Sequence, residues 1–296
     1  MSTKKKFQFP QPLPILQFLR DEPPPLDFLW PGGPLAETVS TLVSPGGAGK
    51  SYFALAASMA VATGGAADPL RLTPQVGGRV VYLSLEDIAH VLHHRVSAIR
   101  KNSNLPWRIH ERIAEQLDLV DALGAGFDLA DPDCADALME RADGVRLLII
   151  DTMRRAHSLD ENSNGDMARV LGVLERVAAR TGAAIMYLHH VSKNMYAAAE
   201  QQAAARGASV LVDNARWAGW VRKMEATEAE RHSLQDRGPP VDPRFYVEWG
   251  VSKSNYTAIP KSQWLERGKG GALNHVELFP IVPKKKGGGD GDILGS

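Results

Sequence analysis

The residues Ser44 to Ser51, S-P-G-G-A-G-K-S, constrain this chain more than any other stretch. They follow a strand-like run, Thr38 to Val43, and open a helix-like one, Tyr52 to Thr63. A strand, a glycine-bearing turn and a helix start together make the local context that binds phosphate. Across Pro45, Gly46, Gly47, Ala48 and Gly49 the glycines let successive backbone N–H groups turn toward an anion, and the helix N-terminus adds about half a positive charge. In such a loop Lys50 reaches the β- and γ-phosphates and the Ser51 hydroxyl ligates Mg²⁺. The pattern G-x-x-x-x-G-K-[ST] asks for Gly at position 44, where this chain has Ser. Ser keeps the turn intact provided its φ is negative.

Downstream, the pattern alternates strand and helix. Arg79 to Leu85 reads as a buried strand after the Gly77-Gly78 turn, and Asp87 to Lys101 as a helix. Leu117 to Leu123 predicts a short strand and Cys134 to Asp143 a helix. Val145 to Ile150 is a strand apolar enough to be covered on both faces. The polar stretch Asp160 to Asp166 predicts a loop, Met167 to Arg180 an amphipathic helix and Ala183 to Leu188 the next strand. Ser192 to Gly207, rich in alanine and glutamine, is expected to be mobile. Strands resume over Trp217 to Lys223, Phe245 to Ser252, Gln263 to Arg267 and Val276 to Phe279. The expected fold is α/β, a mostly parallel sheet flanked by helices with an antiparallel extension on its C-terminal side.

Residues 1–37 form a proline-rich arm that includes Pro23-Pro24-Pro25 and the aromatics Phe7, Phe9, Phe18, Phe28 and Trp30. Ile15 to Asp21 is a candidate short helix. So many aromatics predict an arm that packs on its own core or on a neighbouring subunit, not a free linker. Residues 38–280 are expected to form one domain. Residues 281–296, rich in lysine, glycine and aspartate, predict a disordered tail.

Lys plus Arg and Asp plus Glu both total 34, so no whole-molecule field draws nucleic acid. Any DNA contact must come from a local patch or from a channel that several subunits build. The single cysteine, Cys134, excludes an intrachain disulfide framework and a cysteine-rich metal site. No apolar run approaches the ~18 residues of a membrane span. No apolar segment follows Lys4-Lys5-Lys6, so no secretory leader is expected and a cytoplasmic location is.

Ligands of an open α/β sheet sit beyond the carboxyl ends of its strands. Here the first such end is the phosphate loop. The second carries Glu86, an acid suited to polarising the water that attacks a γ-phosphate. The third carries Asp151, suited to holding Mg²⁺ through water, and the fourth His189-His190, able to hydrogen-bond the γ-phosphate. Each has an ordinary alternative: a helix cap for Glu86 with Asp87, a turn residue for Asp151, a core histidine for His190. Their order downstream of the loop favours chemistry, because phosphoryl transfer needs a positioned water, a metal and a cation more than covalent help.

The segments L-V-S-P-G-G-A-G-K-S, V-Y-L-S-L-E-D, L-I-I-D-T-M-R-R, M-Y-L-H-H-V-S-K, R-G-A-S-V-L-V-D-N-A-R-W and V-S-K-S-N-Y resemble the hexameric replicative helicases of the RepA type from broad-host-range plasmids. More widely they are similar to the RecA/DnaB-type ATPases. The likeness runs from about Pro23 to Trp264. It implies a RecA-like core that uses ATP and Mg²⁺, a homohexameric ring, and 5′-to-3′ movement on single-stranded DNA. By that resemblance Lys50 and Ser51 hold phosphate and Mg²⁺, Glu86 is the catalytic base and Asp151 the Walker B acid. His190, in preference to His189, matches the sensor position, and Arg216 matches the arginine finger given to the neighbour's ATP. Lys253 resembles the Lys of a K-x-R element whose Arg is Asn255 here. Many replicative helicases carry an N-terminal primase-interacting domain that is not seen in this chain, as in the RepA type; a primase or initiator protein is an implied partner.

In rings of this type the loops after the third and fourth strands face the central hole. Here those are roughly Thr152 to Asp166 and Val191 to Arg206, with Arg154, Arg155, Lys193 and Arg206 beside Asp160, Glu161, Asp166 and Glu200. Two other readings stay open. One is a RecA-fold recombination or regulatory ATPase that binds DNA without unwinding it. The other is a small-molecule P-loop kinase with residues 192–207 as its lid.

Overall fold

Val39–Ser44, strand β1, is buried along its whole length, the mark of a strand covered on both faces. The computed structural model describes residues 9–191 and 210–281. A short helix, α1 (Ile15–Phe18), precedes β1. After it come α2 (Lys50–Thr63), β2 (Val80–Ser84), α3 (Ala89–Ser103), α4 (Trp107–Gln116) and β3 (Leu117–Asp121). Then follow α5 (Pro132–Arg141), β4 (Leu147–Asp151), α6 (Asn164–Thr181), β5 (Ala184–His190) and α7 (Val210–Asn214). The C-terminal part adds β6 (Trp217–Lys223), α8 (Ala226–Ala229), β7 (His232–Ser233), β8 (Tyr246–Ser254), β9 (Gln263–Arg267), β10 (Leu273–Val276) and β11 (Phe279–Pro280).

The main sheet has the order β10-β9-β8-β6-β1-β5-β4-β2-β3. All neighbours from β3 to β6 are parallel, and β8, β9 and β10 extend that edge antiparallel. This is the expected parallel core with its antiparallel extension. Alternation along the strands splits the apolar side chains into two cores. Leu42, Tyr82, Ile149 and Leu188 pack with Phe53 and Leu55 of α2. Val81, Leu148, Ile150 and Tyr187 pack with Val170, Leu174 and Val177 of α6. Each large side chain so buried contributes about 1.5–3 kcal/mol relative to exposure.

The root of the N-terminal arm belongs to the core. Leu29 and Trp30 are buried, Trp30 meets Trp217 edge-on at 6.1 Å, and Asp27 pairs with Arg146 through bonds of 2.7 and 2.9 Å. Farther out, Phe9, Leu13, Ile15, Leu16, Phe18, Leu19 and Leu26 are exposed. Among the described residues of this outer arm these large apolar side chains are therefore not buried in the core.

Several boundaries differ from the sequence reading. Helix α4 was not expected; with Arg108, Glu111, Arg112 and Glu115 it reads as a polar connection, yet Ile109 and Ile113 pack against the α2-side core. Helix α6 starts at Asn164, inside the expected loop, because the Ser163 side chain accepts the Asp166 N–H and caps it. Strand β5 runs through His189 and His190 instead of stopping at Leu188, because both pair with β1. The expected strand Val276 to Phe279 is two strands, β10 and β11, in different sheets. Residues 192–209 and the tail after 281 lie outside the described residues. No helix among the described residues is long and apolar enough to cross a membrane.

Candidate active site

The loop between β1 and α2 takes two positive φ angles, 68° at Gly47 and 109° at Gly49, which side chains disfavour. Ser44 is not among the positive-φ residues, so the condition under which Ser replaces Gly there is met. Helix α2 begins at Lys50 itself, which puts Lys50 and Ser51 in its first turn.

Three other strands bring side chains to this turn. Lys50 Nζ, nearly buried, lies 2.6 Å from Nε2 and 3.0 Å from Nδ1 of His190. His190 Nε2 is 3.6 Å from Glu86 Oε1, which also accepts a 3.2 Å bond from the Thr152 hydroxyl. Asp151, at the end of β4, is buried and accepts a 2.6 Å bond from the Tyr82 hydroxyl on Oδ2. Alternation in β5 puts the two histidines on opposite faces: His190 shares the α2 side with Leu188, and His189 shares the α6 side with Tyr187.

Burial dominates the electrostatics. It pushes the Lys50 pKa down, against the opposing pull of Asp151 and Glu86. It pushes the Asp151 carboxyl up, with the Tyr82 and Ser51 hydroxyls and the Lys50 charge working the other way. The Tyr82 phenol is raised by burial and by Asp151, so it stays a donor. His189 is pulled down to about 4, first by burial and then by His190 and Lys50.

Arg216 and Lys253 do not join this cluster. Lys253 pairs with Ala218 of β6, which lies opposite Thr41, and the Arg216 N–H bonds the Val39 carbonyl at the start of β1. The phosphate loop leaves its far end, roughly 16 Å away along the strand. Arg216 is exposed, and the Lys253 ammonium donates to the Asp213 carbonyl. In the loop after β4, Arg154 pairs with Glu161 at 3.2 Å. Lys193, Glu200 and Arg206 lie outside the described residues.

The sequence reading missed Tyr82 and Thr152. A buried tyrosine must find a partner for its hydroxyl, and Thr152 directly follows Asp151; both were usable signals. It also missed Asp87, which pairs with Arg95 at 2.5 Å while Arg95 stacks over Tyr52. The residues fit a magnesium ion shared with phosphate. Asp151 Oδ1 is buried with no hydrogen-bond partner, and the Ser51 hydroxyl is adjacent to the carboxyl. Among the described residues no group of three or more His, Cys, Asp or Glu could hold a metal, so phosphate oxygens would have to complete the coordination.

A family profile described as an AAA domain matches residues 3–195. The crystal structure of the RadB recombinase is similar in fold, with a TM-score of 0.54 at 13% identity over 83% of this chain and 93% of that one. The family match covers more than half of the chain, and the sheet is RecA-like. This chain belongs to the AAA domain family and is a P-loop ATPase with a RecA-like fold.

Proposed function

We propose that this ATPase is a replicative DNA helicase of a plasmid or mobile element, a ring of six copies moving 5′-to-3′ on single-stranded DNA, with a primase or initiator protein as partner. The observation that carries the reading is the separation of Lys50 from Arg216. One chain holds a phosphate loop with its acids at one end of the sheet and an exposed arginine at the other. An arginine so placed serves a second copy's site, not its own. The exposed apolar arm suits the same assembly, since the next copy would cover it.

The loop N–H groups and Lys50 would hold the phosphates of ATP, and Ser51 and Asp151 Oδ1 the Mg²⁺. When bound, Mg²⁺–ATP supplies the phosphoryl group and the metal charge that offsets the negative charge growing in the transition state. Glu86, fixed by Thr152, orients the attacking water and takes its proton on a carboxylate oxygen. His190 spans Glu86 and Lys50 and so reports on the terminal phosphate. Tyr82 acts through Asp151 and is a positioning residue. Arg216 of the next copy completes the charge, which ties hydrolysis to subunit geometry.

The likeness in fold to the RadB recombinase favours a second reading, an ATPase that assembles on DNA without unwinding it. The kinase reading rests on residues 192–207, outside the described residues. Strand displacement on a forked duplex with one tail of each polarity decides among them. ATP-dependent unwinding supports the helicase. Hydrolysis stimulated by single-stranded DNA, with filaments in negative stain and no unwinding, supports the second reading. No stimulation by DNA sinks both.

A further inference from the structure

Two cations from the C-terminal strands lie on the chain's own phosphate loop, and the reading above gives them no part. Arg267 ends β9, and its Nη2 donates to the Ala48 carbonyl at 2.9 Å. The same nitrogen lies 3.4 Å from where a Cβ on Gly49 would stand. Lys223 ends β6, and its Nζ lies 3.6 Å from the Cβ position of Gly47. The parallel pairing of β6 with β1 brings Lys223 there, since Val43 pairs with Trp220 and both strands finish at the same edge.

The hairpin that carries Arg267 is fastened on both sides. The Tyr52 hydroxyl donates to the Gly270 carbonyl at 2.5 Å, and Asn102 Nδ2 to the Lys269 carbonyl at 3.0 Å. Its β10 strand is tied by the His275 N–H to the Pro69 carbonyl at 2.7 Å. The guanidinium is thus held in place before any ligand arrives. Among the described residues Arg267 has no carboxylate partner, although it is half-buried and its pKa is lowered by that burial. Lys223 is exposed and makes no ion pair among the described residues. Two cations without a carboxylate partner among the described residues stand beside a turn of backbone N–H groups and make its surroundings positive, and an anion there would offset the cost of half-burying Arg267.

Resting on the reading of this loop as a nucleoside triphosphate site, we propose that Lys223 binds the phosphates in cis and that Arg267 is the positioning residue that sets the loop backbone for them. The antiparallel extension is then part of the nucleotide site. It acts from the same chain, whereas Arg216 acts on a neighbour.

The test measures binding of ATP and of ADP, each with Mg²⁺, to the full chain and to Lys223→Ala, Lys223→Glu, Arg267→Ala, Arg267→Lys and Lys50→Ala. The rise in Tm on adding nucleotide is read beside it. Lys223→Ala should weaken ATP by about tenfold and Lys223→Glu by more, with the nucleotide-free Tm unchanged. Arg267→Ala should weaken ATP by about tenfold, and Arg267→Lys should recover part of this, because an ammonium still donates to the Ala48 carbonyl. If the Lys223 variants bind ATP as the unaltered chain does while Lys50→Ala does not, the binding role is overturned. If Arg267→Ala lowers Tm equally with and without nucleotide, and the folded protein keeps its affinity, Arg267 is merely structural and the positioning role is overturned. If the unaltered chain binds neither nucleotide, the underlying reading fails, and that result is distinct from the other two.

Discussion

The Tyr82 hydroxyl donates a 2.6 Å hydrogen bond to Asp151 Oδ2 from the strand beside the one that carries Asp151. That bond occupies one carboxylate oxygen and leaves the other, Oδ1, without a partner. Tyr82→Phe would strip the hydroxyl from Oδ2 and leave the buried carboxylate only the adjacent Ser51 hydroxyl. It should lower stability by about 1–3 kcal/mol and raise the Mg²⁺ concentration needed for half-maximal hydrolysis. A magnesium titration of the ATPase, beside a denaturant melt, checks this. An unchanged Mg²⁺ requirement would remove Tyr82 from the site.

Lys50→Ala should abolish hydrolysis, because its ammonium faces the centre of the Glu86, Asp151 and His190 cluster. Arg216→Ala should leave nucleotide binding intact and remove turnover. A mixture of the two inactive variants should regain a fraction of the activity, since an interface made of one variant's loop and the other's arginine has both. Steady-state ATPase of mixed and separate proteins decides it; no regain in a verified mixed assembly would mean that Arg216 does not act across copies.

The pKa of His189 is held at about 4 in the folded chain, below the ordinary value of 6.5. The unfolded chain therefore binds more protons between those values, so stability rises with pH there and falls on acidification. At 1.36 kcal/mol per pKa unit, and allowing for partial exposure, the loss from this group is on the order of 2–3 kcal/mol. His189→Gln should flatten the fall in Tm between about pH 6.5 and 4. His157 and His275 are also lowered by burial, so a residual slope is expected.

Removing residues 1–26 should leave the chain folded, because Leu29, Trp30 and the Asp27–Arg146 pair remain. It should lower the assembled mass seen by sedimentation in the presence of ATP and Mg²⁺. An unaffected mass would mean that the exposed arm plays no part in assembly.

The phosphate loop was legible because its requirements are local. Glycines at positions of positive φ, a lysine and a serine at a helix start all follow from consecutive residues. The central strands were legible for a similar reason, since a strand covered on both faces must be apolar throughout. Even the separation of His190 from His189 follows from alternation once their strand is known. Helix α4 was not legible, because its polar surface hides two packed isoleucines.

What the chain's order alone determined, then, is which residues can hold phosphate and which strand ends carry acids. Tertiary structure decided what stands around them. Arg267 meets Ala48 across 219 residues, and Tyr82 reaches Asp151 across 69. Arg216 is sent away from the loop by the parallel register of β6 on β1. Such contacts depend on strand order and register, which are set by burying two apolar faces at once and leave no pattern in neighbouring residues.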